Sequence, residues 1–453
     1  MTMLSVFLRD EGLIARAMRS SAWTIMGYGA SQVVRLISNL LLTRLLFPEA
    51  FGMMALVTVA MVGLASFSDM GIAPAIAHNR RGDDPVFLDT AWTLQVSRGF
   101  FLWLGTCALA LPVAHFYGEP MLAELLPAAG LALLVAGFNP TSIETAHRHL
   151  MLGRVTLLDL SSQVIGTVAM VVLAWATRSI WSLVLGSIVG AIAKLVLCMI
   201  FLPGQTNRFH LEPEAKHELV RFGRWIFLST ICGFMVAQGD RVILGKYLSL
   251  DLLGIYNIGY FLASFPLLLG NSVIGRVLIP LYRERPPAAS QENFSKLRTM
   301  RFGLTGGIVC MLIVMAFSGV AVVGILYDPR FAAAGPIVVL IACMQIPQVI
   351  GMTYDQAALA AGDSRRFFFL MAPKAVLLSG FLVLGAHTAG LVGALIGQGL
   401  AMVLIYPLVV RLARRYGAWD PVHDGLFALI GLVFGGLALW LHWPAIAALS
   451  ALQ

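Results

Sequence analysis

The chain has 453 residues, of which 59% are hydrophobic and only 12% charged, with a formal net charge of +8. About 25% of the residues of an ordinary soluble domain are charged, so composition excludes a soluble fold. The positive charge is spread through short loops and forms no basic patch for nucleic acid.

Apolar runs long enough to cross a hydrocarbon core of about 30 Å recur from Ser20 to the C-terminus. Before them, Met1 to Arg19 mixes Leu4, Phe7, Leu8, Leu13 and Ile14 with Arg9, Asp10, Glu11, Arg16 and Arg19. Its apolar residues are too few and too interrupted for a cleaved signal peptide, and the segment (1–19) reads as an interfacial amphipathic helix. Thirteen helical spans are predicted, near 20–46, 52–76, 91–115, 121–144, 155–177, 179–202, 221–246, 253–279, 299–326, 336–361, 367–388, 390–412 and 425–448. With the N-terminus inside, one set of loops holds Arg80 and Arg81, Arg148 and Arg154, Arg208 to Arg224, Arg283 to Arg301, Arg365 and Arg366, and Arg411 to Arg415. The opposite loops hold little beyond Arg44, Arg178, Lys246 and Arg330. That asymmetry predicts a multi-pass membrane protein with a cytoplasmic N-terminus and, for an odd span count, an external C-terminus.

In the first span, Tyr28, Gln32, Arg35 and Asn39 follow the spacing of one helix face. Arg35 stands roughly 22 Å along the helix from Ser20, close to the bilayer midplane. Lipid satisfies none of these donors, so the stripe lines a cavity or hydrogen-bonds a neighbouring helix. Lys194, deep in the sixth span, is a second cavity candidate, and Gln345, Gln348, Met352 and Asp355 form a weaker stripe in the tenth. Cations at depth suggest an anionic ligand group, and phosphate suits both Arg and Lys. Asp69, Asp240 and Asp355 are candidates for a coupling cation, or pair with neighbours such as Arg241. Arg98, Asp159 and Arg276 lie near the cytoplasmic ends of their spans, where snorkelling or a local ion pair is expected.

His147-Arg148-His149 resembles a metal motif but sits in a basic loop, where solvation is expected. Cys107, Cys198, Cys232, Cys310 and Cys343 all fall inside spans without a C-x-x-C pair, and read as small apolar side chains. Gly306-Gly307, Gly393-x-x-x-Gly397 and Gly435-Gly436 read as points of close helix packing or bending. Neither a catalytic constellation nor a cofactor motif is expected beyond a coupling H+ or Na+.

Sliding the sequence by 202 residues sets Trp23 on Trp225, Arg44 on Lys246, Leu46 on Leu248 and Gly52 on Gly254. An offset of six spans preserves direction across the membrane, so the repeats are parallel, about an axis along the membrane normal. The predicted organisation is an N-lobe (20–202), a cytoplasmic linker (203–220), a C-lobe (221–415) and an additional C-terminal helix (416–453) packed outside the pair. The fold class is thus an all-α integral membrane protein, two six-helix lobes around a central cavity.

Thr43-Arg44-Leu45-Leu46-Phe47-Pro48-Glu49-Ala50-Phe51-Gly52 with Ser68-Asp69-Met70-Gly71-Ile72, and Asp240-Arg241-Val242-Ile243-Leu244-Gly245-Lys246-Tyr247-Leu248 with Leu253-Gly254-Ile255-Tyr256, resemble segments of the Wzx-type polysaccharide flippases of the MOP superfamily. Leu326-Tyr327-Asp328, Phe331-Ala332-Ala333 and Ala361-Gly362-Asp363 extend the resemblance, which runs from about Ala17 to Arg415. It implies a transporter that carries undecaprenyl-diphosphate-linked oligosaccharides to the external leaflet for capsule, O-antigen or exopolysaccharide assembly. Its expected partners are membrane lipids, the lipid-linked oligosaccharide, and polymerase and export machinery. Two other readings remain: a drug or organic-cation antiporter of the same superfamily, which would bury anionic groups for its substrate, and a glycan-assembly enzyme. Short external turns, as at 47–51, 116–120 and 387–389, speak against the enzyme.

The charge asymmetry makes a topological prediction. Tags at Gly82, Gln205, Gln291 and Gly417 are expected in the cytoplasm and a tag after Gln453 outside; protease accessibility of spheroplasts measures both, and an internal C-terminal tag contradicts the span count.

Overall fold

The computed structural model describes residues 13–68, 71–149, 151–361 and 363–450. The predicted interfacial segment lies outside them, apart from the start of the first helix at Leu13. Every element among the described residues is helical, and they divide into two compact units: residues up to Leu46 with Val57–Ile231, and Phe47–Leu56 with the chain from Cys232 onward.

Unit 1 is built from α1 (Leu13–Leu45), most of α2 (Pro48–Phe67), α3 (Ile72–His78), α4 (Pro85–Tyr117), α5 (Leu122–Gly137), α6 (Ser142–Arg148), α7 (Leu152–Thr177), α8 (Trp181–Phe201) and the first part of α9 (Pro213–Tyr247). Asp84 starts α4 by accepting a hydrogen bond from the Val86 amide, with Pro85 in the first turn, where its missing N–H costs nothing. Small residues set the helix pairs: the Gly99 and Gly137 backbones meet where α4 lies on α5, and Gly166 meets Gly190 where α7 lies on α8. A core of Ile76, Phe87, Leu88 and Ala91 takes in Ala215 from α9.

Unit 2 continues with α10 (Leu250–Ala263), α11 (Phe265–Val273), α12 (Ile279–Glu284), α13 (Gln291–Leu326), α14 (Ala334–Ala360), α15 (Ser364–Arg415), α16 (Pro421–Ile430), α17 (Gly436–Leu441) and α18 (Trp443–Leu449). Its centre is α14: 78% of its apolar stretch is buried, against 17% to 44% for the other straight spans. At 52 residues α15 would run about 78 Å if straight. Instead it breaks at Ala389 and at Gly390, whose φ of 54° favours glycine. Its halves fold back so closely that a Cβ on Gly385 would lie 2.1 Å from the Gly393 carbonyl oxygen. The sequence reading of Gly393 and Gly397 as packing residues holds.

Among the described residues, eight helices are long and apolar enough to cross a membrane; two bent pairs, α5 with α6 (59°) and α10 with α11 (45°), bring the number to ten. The difference from thirteen has two sources. Helices α1 and α9, on the first and seventh predicted spans, are not among the ten, and the eleventh and twelfth spans are the two arms of α15. The C-terminal helices α16 to α18 pack against α13 and α14.

The 202-residue offset reappears as a contact inside unit 2. A Cβ on Gly52 would lie 2.0 Å from the Leu250 carbonyl oxygen, and one on Gly254 the same 2.0 Å from that of Pro48. Residues 48 and 250 are themselves 202 apart, so the contact is reciprocal. Glu49 and Asp251, related by the same offset, lie beside it, and burial together with the Glu49 carboxylate raises the pKa of Asp251.

No side chain fits at this crossing without moving backbone. Gly254→Ala is expected to destabilise by about 1–3 kcal/mol, the usual cost of overpacking, whereas Gly380→Ala, with nothing within 4 Å of the new Cβ, should stabilise by about 0.4–1 kcal/mol. Thermal unfolding of the detergent-purified variants measures both, and equal shifts would contradict the crossing.

Candidate functional site

In unit 1 the polar stripe of α1 is present. Gln32 is buried and donates through Nε2 to the Tyr28 hydroxyl at 2.8 Å, while Tyr28 and Asn39 are half-buried and Arg35 is exposed. The bond from α1 to α7 is made by Ser31, which donates to Gln163 Oε1 at 2.7 Å and accepts from Gln163 Nε2 at 3.1 Å through its carbonyl. The stripe is therefore not consumed by that contact, and the buried Gln32 Oε1 accepts no hydrogen bond.

Lys194 is alone on its own helix, but α7 brings Asp159 Oδ1 to 2.8 Å from its Nζ. Lys194 stands about 10 Å from the C-terminal end of α8 and Asp159 about 10 Å from the N-terminal end of α7, at 1.5 Å per residue. Their side chains keep 36% and 47% of their exposure, so the ammonium stays reachable and Asp159 uses one of its three donors. Arg98 donates to Ser68 Oγ at 2.9 Å and to the Ala65 carbonyl at 2.7 Å.

The basic loop is not simply solvated: Arg148 and His149 both reach Asp83, at 3.0 and 2.8 Å, and His147 lies 3.6 Å from Glu144. These acids come from elsewhere in the fold and in α6, which a reading of the tripeptide alone did not count. Among the described residues, no group of three His, Cys, Asp or Glu is placed to hold a metal.

Unit 2 uses its polar residues for helix contacts. Gln345, buried, donates to Ser264 Oγ at 3.0 Å, and Gln348 is half-buried. Met352 is buried, and Asp355 forms a buried ion pair with Lys374 at 3.4 Å. Asp240 accepts from the Tyr256 hydroxyl at 2.5 Å, while the Arg241 guanidinium, 3.9 Å away, donates to Asn257 and Gln238 and lies over the Tyr260 ring at 4.2 Å. Asp69 and the side chain of Arg276 lie outside the described residues.

One polar network of unit 2 was not foreseen. Arg301, fully buried, donates to the Ala418 carbonyl and the Tyr282 hydroxyl, and its guanidinium lies 4.7 Å from the Tyr354 ring centre. The Asp424 carboxylate accepts from Tyr354 at 2.8 Å and Tyr406 at 2.6 Å and meets His423 Nδ1 at 2.8 Å; His423 Nε2 faces Thr305 Oγ1 at 3.0 Å. Arg298 pairs with Asp420, which caps α16. These groups tie α13, α14, α15 and α16 together. The sequence reading assigned Arg298 and Arg301 to a loop and passed over Lys374, although a lysine inside an apolar span was itself a signal.

A family model described as polysaccharide biosynthesis protein matches residues 41–334. The lipopolysaccharide biosynthesis protein WzxC of Escherichia coli (strain K12) is 23% identical, covering 87% of this chain and 82% of that one. The succinoglycan biosynthesis transport protein ExoT of Rhizobium meliloti (strain 1021) is 24% identical, over 83% and 76%. In fold, the lipid II flippase MurJ in an inward closed conformation matches with a TM-score of 0.67 at 11% identity, covering 94% of this chain and 99% of that one.

The two classes of charge separate in stability. Arg301→Met leaves the buried Ala418 carbonyl without its donor and is expected to cost about 1–3 kcal/mol, whereas Lys194→Met breaks a partly exposed pair and should cost at most about 1 kcal/mol. Fluorescence-detected thermal unfolding in detergent distinguishes them; similar losses would show that Lys194 is also structural.

Proposed function

We propose, from the premise that the chain belongs to the polysaccharide biosynthesis protein family, that it flips undecaprenyl-diphosphate-linked oligosaccharide units from the cytoplasmic to the periplasmic leaflet of the inner membrane. It is a multi-pass membrane transporter and not an enzyme. The observation that supports the substrate class is Arg35, an exposed residue on the polar face of α1, which its distance along the first predicted span puts near midplane depth. A planar fork of donors suits a diphosphate or an acidic sugar. Lys194, Asn39, Gln32 and Tyr28 are the further candidates for substrate contact, with Gln345 and Gln348 in unit 2. Transport proceeds by alternating access of the two lobes, and substrate must be held moderately, since a ligand bound far more tightly in one state traps that state.

Asp240, Asp355 and Asp69 are the proposed sites for a coupling H+ or Na+. For Asp355 the buried Lys374 pair supports this role, because protonating the carboxylate releases the ammonium. The polymerase and export machinery of the same polymer are the expected partners, and the N-terminus is cytoplasmic. An organic-cation antiporter would present a carboxylate to its substrate, whereas Asp240, Asp355 and Asp424 are engaged by tyrosine hydroxyls or by Lys374.

The test is Arg35→Gln and Arg35→Lys in cells, reading membrane abundance and, by mass spectrometry, lipid-linked oligosaccharide. A lost charged hydrogen bond is worth about 1.5–3 kcal/mol, so Arg35→Gln should cut polymer output about tenfold at unchanged abundance, with lipid-linked units accumulating, and Arg35→Lys should do less harm. Undiminished output from a normally abundant Arg35→Gln removes Arg35 from the mechanism. A variant that fails to accumulate shows a bracing role instead.

A further inference from the structure

Between α14, the second arm of α15 and α16–α17, unit 2 contains a cleft of about 730 Å3. Its walls are apolar, among them Ile346, Ile350, Met402, Leu432 and Leu439. Polar side chains gather at one end: Tyr406, Trp419 and Asp424. The Asp424 carboxylate is held by two tyrosine hydroxyls and His423, so it is fixed in that wall. Just beyond, the Arg414 guanidinium lies 3.9 Å from the Trp419 ring centre, and Arg411 and Arg415, both exposed, share its helical turn.

Glycines keep this cleft open. In membrane helices glycine ordinarily lets backbones approach, as at Gly385 and Gly393. Gly425 and Gly436 line the cleft, yet a Cβ at either would meet nothing within 4 Å. Between them α16 passes through a π-helical turn, Gly431–Gly435, whose first and last residues also face the cleft; such turns are frequent at functional sites. Protein interiors are otherwise packed with few voids larger than a water molecule, so an apolar cleft of this size between spans has room for a chain from the bilayer.

We propose that the occupant is one anionic glycerophospholipid of the cytoplasmic leaflet, its chains in the cleft and its phosphate at Arg411, Arg414 and Arg415. Size selects the chain. At about 30 Å3 per carbon, the share a water molecule takes in its liquid, the cleft holds roughly 24 chain carbons, which is one to two acyl chains and less than half of a polyprenyl chain of about 55 carbons. Charge selects the head group, because Arg414, stacked on the lining residue Trp419, and the exposed Arg411 and Arg415 of the same turn complement a net negative phosphodiester. The site lies wholly within unit 2, apart from Arg35 and Lys194, and rests on the cytoplasmic placement of residues 416–420 but not on the transported substrate.

Native mass spectrometry of the full-length protein in mild detergent tests it, with phosphatidylglycerol, phosphatidylcholine of the same chains, and undecaprenyl phosphate as probes. The expected result is one retained phosphatidylglycerol, at concentrations about tenfold below phosphatidylcholine. Gly436→Leu and Gly425→Leu, whose new side chains have room, should each lose it without losing thermal stability, and Arg414→Gln should lose the head-group preference alone. Equal retention of phosphatidylcholine by the wild-type protein, displacement by undecaprenyl phosphate, or undiminished binding by folded Gly436→Leu and Gly425→Leu would each overturn the proposal.

Discussion

Hydrocarbon offers no hydrogen-bond partner, and the rest of the molecule follows from how the chain meets that constraint. The backbone meets it by being helical throughout the described residues. Side chains meet it in pairs drawn from different helices: Asp159 with Lys194, Asp355 with Lys374, Asp240 with Tyr256, and Asp424 with two tyrosines. Each bond reaches across a helix contact that apolar packing alone would leave free to slide. Helix association in lipid lacks a hydrophobic drive and relies on close packing and such bonds. The glycine contacts supply the first of these and the paired polar groups the second.

What was legible in the sequence was whatever repeats along one helix. Apolar run length located the elements, and the spacing of Tyr28, Gln32, Arg35 and Asn39 gave a face that exists. The 202-residue offset, visible only as a few matched residues, returns as the reciprocal Gly52 and Gly254 contact. Partners across helices were not legible. Lys194 is isolated in its own apolar run, and nothing near it in sequence points to Asp159, 35 residues earlier. Asp420, His423 and Asp424 sit where a loop becomes a helix, so their hydrophilicity passes for an ordinary boundary, yet His423 is fully buried. Arg301 misled in the opposite way: it was read with a loop, but α13 begins ten residues before it and carries it inside.

The C-terminal helices illustrate how a peripheral element is fixed. An added span packed outside a bundle needs a reason to stay in register, since its lipid-facing and protein-facing surfaces are both apolar. Here Asp420 caps α16 and pairs with Arg298, while His423 and Asp424 enter the unit and meet Thr305, Tyr354 and Tyr406. A slip by one residue would carry the imidazole and carboxylate away from those partners, at the cost of unsatisfied buried groups. Polar bonding at the start of α16 thus sets register, and Asp424 and Tyr406, which make that bonding, also form part of the wall of the cleft.

The difference in exposure between the charges of the two units bears on transport. Lys374 and Asp355 are each about one-tenth exposed, and removing either partner leaves a buried charge uncompensated. Lys194 and Asp159 keep a third to a half of their exposure, so water screens their attraction and exchanging Asp159 for another anion changes little in desolvation. A site that must bind and release a charged head group in every cycle needs the second kind of cation, held in place by a weak internal anion and freed from it at small cost. By that argument Lys194 is suited to transient contact because of its partner.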